Sequence, residues 1–153
     1  MIAEGQEAPD FELKSDAGET VRLSELRGKP VVLYFYPKDG TEGCTAEAIA
    51  FNARRAEFDK AGAQIIGISP DSLPSHEKFK RKHALALTLA SDEARTTLEA
   101  YGVWKEKAMY GRKFMGVERT TVLVDPEGRI ARIWRKVRVP GHVDEVLKAL
   151  RAL

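Results

Sequence analysis

Cys44 is the residue whose type and position best suit chemistry, and it is the one cysteine among 153 residues. Residues 31–36 form a continuous apolar run that ends at Pro37, and helical spacing begins at Cys44 after a polar loop. Cys44 is therefore predicted in the first turn of a helix that follows the carboxyl end of a buried strand, where ligands usually bind in α/β sheets. The unpaired N–H groups and the dipole of a helix start favour a thiolate, the nucleophilic form of cysteine.

The residues just before Cys44 are typical of an anion-binding loop. Gly40, Thr41 and Gly43 are small, so backbone amides in this segment can approach a bound group closely. The Thr41 hydroxyl fits two compatible roles, as the N-cap of the helix or as a hydrogen-bonding partner of an oxygen-containing substrate. A lone cysteine is more often a small buried hydrophobe, but this setting favours a reactive thiol.

The three histidines, His76, His83 and His142, are predicted to lie at the surface. They show no metal-ligand spacing with one another or with Cys44, so no metal site is predicted. A Cys–His hydrolase is an alternative that would need one of them within hydrogen-bond reach of the thiol.

The elements that must position these residues follow from hydrophobic spacing and from the glycines and prolines between segments. The predicted strands are a hairpin within residues 11–23 and segments 31–36, 63–69, 85–89, 120–124 and 129–135. The predicted helices are a short turn at 24–28 and segments 44–61, 73–83, 94–101 and 143–153, and residues 105–113 are predicted as a lysine-rich loop. Alternating strands and helices that end in a hairpin and a helix predict an α/β, thioredoxin-like fold. Its central mixed sheet is flanked by helices and preceded by an N-terminal hairpin.

Composition excludes several classes of function. Lys and Arg number 25 against 23 Asp and Glu, a net charge of +2 that gives no support to a nucleic-acid or anionic-membrane role. The start of the sequence has no apolar signal-like segment, and the run at 31–36 is too short to span a bilayer. We therefore expect a soluble, cytoplasmic protein that forms one domain over residues 1–153. A single cysteine fits a reducing compartment.

The segment PKDGTEGCTAE, residues 37–47, resembles the peroxiredoxin active-site motif P-x-x-x-T-x-x-C, in the form found in the peroxiredoxin Q (bacterioferritin comigratory protein) subfamily. The resemblance extends over nearly the whole chain. It includes segments 8–11, 23–29, 67–69 and 101–104, together with Arg119 before an apolar strand that ends in Asp125. The motif alone would be a weak signal, but the flanking segments in the same order make it specific.

The resemblance implies a thiol-dependent peroxidase without a cofactor, in which Cys44 attacks a peroxide oxygen and becomes a sulfenic acid. It also implies that Arg119 stabilises the thiolate and binds the peroxide oxygens, that Thr41 orients the substrate and that Pro37 shields the site. Glu47 matches a residue that holds the arginine near the pocket, although a solvated helix position explains this glutamate equally well. The implied substrates are hydrogen peroxide and organic hydroperoxides.

The sequence departs from the resemblance at two positions of this region. Ile49 occupies the place where many peroxiredoxin Q proteins carry a second cysteine, so an external thiol, thioredoxin or glutathione with glutaredoxin, is expected to reduce the sulfenic acid. Glu42 replaces a proline, and a carboxylate at the tip of a loop is expected to be solvated. A monomer or weak homodimer is expected.

Two further alternatives share the predicted fold. In one, the chain is a non-catalytic, thioredoxin-like binding or chaperone-type module in which Cys44 is a buried or redox-sensing thiol. In the other, it has glutathione peroxidase chemistry, which would need a Gln/Trp set around the cysteine that the sequence does not indicate. Rapid reaction of Cys44 with stoichiometric peroxide would separate the catalytic from the non-catalytic alternative.

Overall fold

A computed structural model describes residues 2–153 of the chain. The strands are β1 (Glu12–Ser15), β2 (Thr20–Arg22), β3 (Val31–Phe35), β4 (Gln64–Ser69), β5 (Thr88–Ser91), β6 (Trp104–Met109), β7 (Arg112–Val117), β8 (Thr120–Val124) and β9 (Ile130–Trp134). The helices are α1 (Glu42–Ala53), α2 (Arg55–Lys60), α3 (Leu73–His83), α4 (Thr96–Ala100) and α5 (His142–Arg151), with a short 3-10 helix at Leu23–Leu26.

Seven of these strands form one mixed sheet in the order β2-β1-β5-β4-β3-β8-β9. Strands β3, β4 and β5 run parallel, whereas β8 is antiparallel to β3 and β1 is antiparallel to β5. This arrangement confirms the predicted α/β class and the N-terminal hairpin. The strand β3 lies inside the sheet, as its uninterrupted apolar sequence predicts.

Both faces of β3 are buried because its alternate side chains enter two different apolar layers. Val31, Leu33 and Phe35 pack on the face covered by α4 and the N-terminal segment. Val32 and Tyr34 pack on the other face, together with the apolar sides of α1, α2, α3 and α5. Cys44 belongs to this second layer, so the functional helix is fixed against the sheet by the core itself.

Three predicted segments differ clearly from the structure. The strand predicted at 85–89 begins three residues later, as β5 at Thr88–Ser91. The helix predicted at 44–61 begins two residues earlier and is divided at Arg54 into α1 and α2. The lysine-rich loop predicted at 105–113 is wrong, because this segment forms the hairpin β6–β7 around Tyr110 and Gly111. Both turn residues have positive φ, 53° and 76°, as a two-residue hairpin turn of type I′ requires.

No helix among residues 2–153 combines the length and the apolar character needed to cross a membrane.

Candidate active site

Cys44 is the third residue of α1 and lies on the inner face of its first turn, where it is 1% exposed. The helix starts directly after the loop that leaves β3, which confirms the predicted position of the thiol. The first intrahelical bond joins the Thr45 amide to the Thr41 carbonyl at 2.9 Å. Cys44 therefore lies in the turn whose N–H groups have no partner within the helix, a favourable place for a negative charge.

Arg119, the residue before β8, contacts two acidic side chains of α1. Its Nη2 donates to Cys44 Sγ at 3.4 Å, and its Nη1 donates to Glu47 Oε1 at 2.7 Å. Cys44 and Glu47 are three residues apart and share one face of α1. The guanidinium thus lies between a thiol and a carboxyl group.

The sheet register explains why Arg119 is available at this place. Phe35, the last residue of β3, pairs with Thr120, the first residue of the antiparallel β8. Arg119 therefore lies just beyond the end of β3, next to the loop that leads to Cys44. Its carbonyl also accepts a hydrogen bond from the Val137 amide at 3.0 Å, which ties the connection between β7 and β8 to the segment after β9.

The first turn of α1 has room for the guanidinium because residue 43 is glycine. A Cβ at Gly43 would lie 3.0 Å from Arg119 Nη2, closer than most side chains approach one another. Glu42, the residue before it, is exposed and belongs to the helix rather than to the tip of a loop. Its solvated carboxylate lies at the positive end of the helix dipole, where a negative charge is favourable.

Burial dominates the electrostatics of this group of residues. It raises the pKa of Glu47 to about 7, although the charge of Arg119 and its hydrogen bond act in the opposite direction. Burial also lowers the pKa of Arg119, but the negative charges of Glu47 and Cys44 outweigh it and leave that pKa above its ordinary value. The guanidinium therefore stays a full positive charge beside two groups that compete for it.

Thr41 and Pro37 lie in the loop between β3 and α1, which precedes Cys44. Thr41 is exposed and has the extended backbone of an N-cap, but its hydroxyl donates to the Lys38 carbonyl at 2.9 Å instead of capping the helix. Pro37 is half-buried directly after Tyr36. The four residues predicted to form the site thus lie around the start of α1, with Arg119 in direct contact with the thiol.

The hairpin β6–β7 brings a second cation near this group. Lys107 is half-buried, and its pKa is lowered by burial and by repulsion from Arg119, while the Cys44 thiolate acts in the opposite direction. The sequence prediction of a loop at this segment missed the placement of this side chain.

A second polar cluster at the end of β3 was missed by the sequence analysis. His76, predicted at the surface, is 0% exposed, and its Nδ1 lies 2.7 Å from Asp39 Oδ2. The Tyr36 hydroxyl donates to Asp39 Oδ1 at 2.6 Å and the Ser75 hydroxyl donates to Asp39 Oδ2 at 2.9 Å. The Asp39 amide in turn donates to Asp71 Oδ2 at 2.8 Å. This Asp39 cluster fixes the middle of the loop that carries Thr41.

Asp39, Asp71 and His76 each offer an atom that could bind a metal ion, and these atoms lie within 4.8 Å of one another. Each of them already has protein hydrogen-bonding partners, however. The cluster is therefore complete as a hydrogen-bonded structure without an ion.

His142 was also wrongly predicted at the surface, because it is 4% exposed at the start of α5. Its Nε2 lies 2.8 Å from the Thr121 hydroxyl. His76 and His142 are thus each engaged by partners other than Cys44, and the contact made by the thiol is with Arg119. This arrangement does not support the Cys–His alternative.

Comparisons with known proteins agree on the family. The AhpC/TSA family matches residues 4–133. The peroxiredoxin Bcp of Bacillus subtilis is 52% identical over 147 residues, which cover 96% of this chain and 94% of the relative. The peroxiredoxin Bcp of Escherichia coli is 37% identical with the same coverage.

Solved structures give the same result for the fold. The bacterioferritin comigratory protein of Xanthomonas campestris, studied for its alkyl peroxide reduction activity, superposes with a TM-score of 0.91 at 45% identity over 98% of both chains. The peroxidoxin BcpB of Mycobacterium tuberculosis superposes with a TM-score of 0.88 at 34% identity, covering 100% of this chain and 99% of its own. The thioredoxin-like fold is thereby confirmed. The chain therefore belongs to the AhpC/TSA family and, within it, to the peroxiredoxins of the Bcp or PrxQ type, which are thiol-dependent peroxidases.

Proposed function

We propose that Cys44 is the nucleophile that reduces hydrogen peroxide and organic hydroperoxides, and that Arg119 is the group that stabilises the charges of this reaction. The observation that carries the proposal is the guanidinium placed 3.4 Å from Cys44 Sγ at the start of α1. An inert buried thiol needs no such partner, because burying a cation beside it costs free energy. The non-catalytic alternative has no comparable support.

The chemical step follows from the positions of these groups. The Cys44 thiolate attacks the terminal oxygen of the hydroperoxide, an S–O bond forms as the O–O bond breaks, and the alkoxide or hydroxide that leaves takes up one proton. Negative charge moves from sulfur to the leaving oxygen during this step. A fixed donor such as Arg119, aimed at the place where that charge develops, lowers the barrier.

Thr41 and Pro37 complete the site in this proposal. Because the Thr41 hydroxyl donates to the Lys38 carbonyl, its own oxygen is left as an acceptor for the O–H of a hydroperoxide. Pro37 covers the approach and limits contact of the thiolate with water. Residues 1–153 act as one peroxidase domain in this proposal, as a monomer or weak homodimer in a reducing compartment such as the cytoplasm.

The sulfenic acid is reduced by an external thiol, since the sequence contains no second cysteine. The first external thiol forms a mixed disulfide with Cys44 and releases water, and a second thiol displaces Cys44 as the free thiol. Thioredoxin, or glutathione with glutaredoxin, supplies these thiols. Ile49, at the position of the absent second cysteine, is 47% exposed on α1.

The test of the nucleophile is Cys44→Ser, which is nearly isosteric but does not ionise at neutral pH. Peroxide consumption with either reductant should be abolished, while circular dichroism and the urea unfolding midpoint stay unchanged. In the wild-type protein, one equivalent of peroxide should add one oxygen to the intact mass. Turnover retained by Cys44→Ser would refute the assignment.

The test of external reduction is Ile49→Cys, with Ile49→Ser as the matched control. Ile49 lies more than one turn beyond Cys44, so the start of α1 must unwind before two sulfur atoms can meet at disulfide distance. We expect oxidised Ile49→Cys to lose the mass of two hydrogen atoms, as its two thiols form a disulfide, and to resist further oxidation under excess peroxide. The wild type and Ile49→Ser should gain oxygens under the same conditions. An oxidised wild type lighter by two hydrogen atoms, with nothing attached, would contradict the scheme.

A further inference from the structure

The buried charges around Cys44 do not balance if both acidic groups ionise. Arg119 supplies one positive charge, and its two terminal nitrogens are divided between Cys44 Sγ and Glu47 Oε1. The Glu47 side chain is 0% exposed and that of Arg119 is 17% exposed, so little water screens the group. A thiolate and a carboxylate together would leave one uncompensated negative charge in the core.

One oxygen of the carboxyl group is free to carry a proton. Glu47 Oε2 is buried and has no hydrogen-bond partner within the part of the chain that the structure describes. A buried carboxylate oxygen without a donor is costly, whereas a protonated oxygen at the same place carries no charge. The raised pKa of Glu47, caused by its burial, agrees with this geometry.

No other titratable group around Glu47 forms an ion pair with it within the residues that the structure describes. Tyr34, on β3, is fully buried, and burial together with the charge of Glu47 raises its pKa, so it is neutral. Burial and repulsion from Arg119 lower the pKa of His142, on α5, to about 4, so it is neutral too. Lys107, on β6, is a half-buried cation whose pKa is lowered by burial and by repulsion from Arg119, and no ion pair joins it to Glu47 or Cys44 within residues 2–153.

We propose that Cys44 and Glu47 share one proton across Arg119, so that the Cys44 thiolate forms when Glu47 becomes a carboxylic acid. In this exchange the S–H bond of Cys44 breaks, an O–H bond forms at Glu47 Oε2, and nothing is oxidised or reduced. The group then holds one positive and one negative charge in either state. Its neutrality does not depend on a counter-ion from solvent.

The exchange also accounts for the proton needed after peroxide attack, a point that rests on the proposed function. With Glu47 protonated, the charge that leaves sulfur as alkoxide is still balanced by Arg119. The alkoxide then takes the proton of Glu47 and becomes an alcohol. The Glu47 carboxylate that results is the negative charge that balances Arg119. The buried group therefore stays neutral before and after the O–O bond breaks.

The first test compares the thiolate titration of wild type and Glu47→Gln. The glutamine side chain keeps an oxygen to accept from Arg119 Nη1 but cannot ionise. Thiolate ultraviolet absorbance is measured against pH, with the matching Cys44→Ser proteins as blanks. Since the carboxylate no longer competes for Arg119, the midpoint should move about one unit towards lower pH. Glu42→Gln, which removes an exposed carboxylate from the same helix, should move it by no more than a few tenths of a unit.

The second test measures the coupling between Cys44 and Glu47 through the protonation of Glu47. The infrared band of the protonated Glu47 carboxyl, assigned by its loss in Glu47→Gln, is followed against pH in wild type and in Cys44→Ser. Without the thiolate, the charge of Arg119 stabilises the Glu47 carboxylate alone. Because coupled titrations are reciprocal, the band should disappear at a pH lower by about one unit.

An unchanged or higher thiolate midpoint in folded Glu47→Gln would overturn the proposal and leave Glu47 as a residue that only positions Arg119. An unchanged carboxyl midpoint in Cys44→Ser, in which Glu47 itself is native, would overturn it independently. Neither titration uses peroxide. Their failure is thus distinct from failure of the peroxidase assignment, which would appear as turnover retained by Cys44→Ser.

Discussion

Two polar clusters lie at the carboxyl end of β3, and they differ in how completely their buried groups are paired. In the Asp39 cluster, both carboxylate oxygens of Asp39 accept hydrogen bonds and both ring nitrogens of His76 have partners, the second being the Ala90 carbonyl at 3.1 Å. In the cluster of Cys44, Glu47 and Arg119, Glu47 Oε2 has no partner among residues 2–153, and one cation faces two acidic groups.

This difference separates a structural role from a chemical one. A fully paired cluster has one stable arrangement, so it fixes the loop that carries Thr41. An incompletely paired cluster can change its protonation or bind a further group at low cost, which a reacting site requires. The two clusters are adjacent because the same loop leaves β3, passes Asp39 and enters α1.

The largest expected effect is on the stability of the Asp39 cluster. Both ring nitrogens of the buried His76 imidazole have partners, since Nε2 lies 3.1 Å from the Ala90 carbonyl and Nδ1 lies 2.7 Å from Asp39 Oδ2. Asp39→Ala leaves this imidazole and the Tyr36 hydroxyl without their partner. We expect it to lower the free energy of unfolding by about 3–5 kcal/mol, measured by urea denaturation.

Glu19→Ala, which removes an exposed carboxylate, is the control and should change the free energy of unfolding by less than about 0.5 kcal/mol. The contrast between the two clusters would fail if Asp39→Ala kept full stability. The hydrogen bonds of the Asp39 cluster would then contribute little to the free energy of unfolding.

The next effect concerns rate rather than stability. Arg119→Met removes the donor to Cys44 Sγ while keeping an unbranched side chain in the space. Loss of a charge-assisted donor in an active site costs a few kcal/mol in the transition state, so kcat/KM for peroxide should fall roughly a hundredfold or more. The value of kcat/KM is measured from peroxide consumption with a saturating thiol reductant.

Arg112→Met, on the exposed hairpin β6–β7, removes the same charge away from the thiol and should leave kcat/KM nearly unchanged. A decrease of less than about threefold in Arg119→Met would show that the arginine is structural, since charge-assisted donors in active sites contribute more than that.

Local patterns in the sequence predicted most elements but not the charges in the core. The strand at 120–124 and the helix at 73–83 agree with β8 and α3 because their apolar residues pack into the core layers. Hairpin β6–β7 was missed because it is largely exposed, so its side chains carry no alternation of apolar and polar character. The one sequence signal for this hairpin was the glycine at its turn, Gly111, which follows Tyr110.

The burial of Glu47, His76 and His142 could not be read from their residue types. Each has a hydrogen-bonding partner distant in sequence, such as Arg119 for Glu47, 72 positions away. The available signal for Glu47, not used in the sequence prediction, is its spacing of three residues from Cys44, which puts both on one face of a helix. The contact of Arg119 with Cys44 was expected from the family resemblance, whereas the competition between two acids for one guanidinium required the structure.

The smallest effect is a pH dependence of stability from His142, which is buried at the start of α5. Its pKa is lowered from 6.5 to about 4 by burial and by repulsion from Arg119. Between these values the unfolded chain binds the extra proton and the folded chain does not, so stability rises with pH there and is lost as the pH falls. We expect His142 to cost about 2 kcal/mol of folding free energy between about pH 7 and about pH 5.

Glu47 opposes this trend, because its pKa is raised from 4.5 to about 7 and the folded state binds the extra proton in that interval. The measurement is therefore the difference between the urea unfolding curves of wild type and His142→Gln across this pH range. The glutamine introduced there keeps a polar group near the Thr121 hydroxyl but does not titrate. A difference that stays constant with pH would mean that His142 is protonated alike in the folded and unfolded states. Burial of the imidazole and repulsion from Arg119 would then leave the pKa of His142 at its ordinary value.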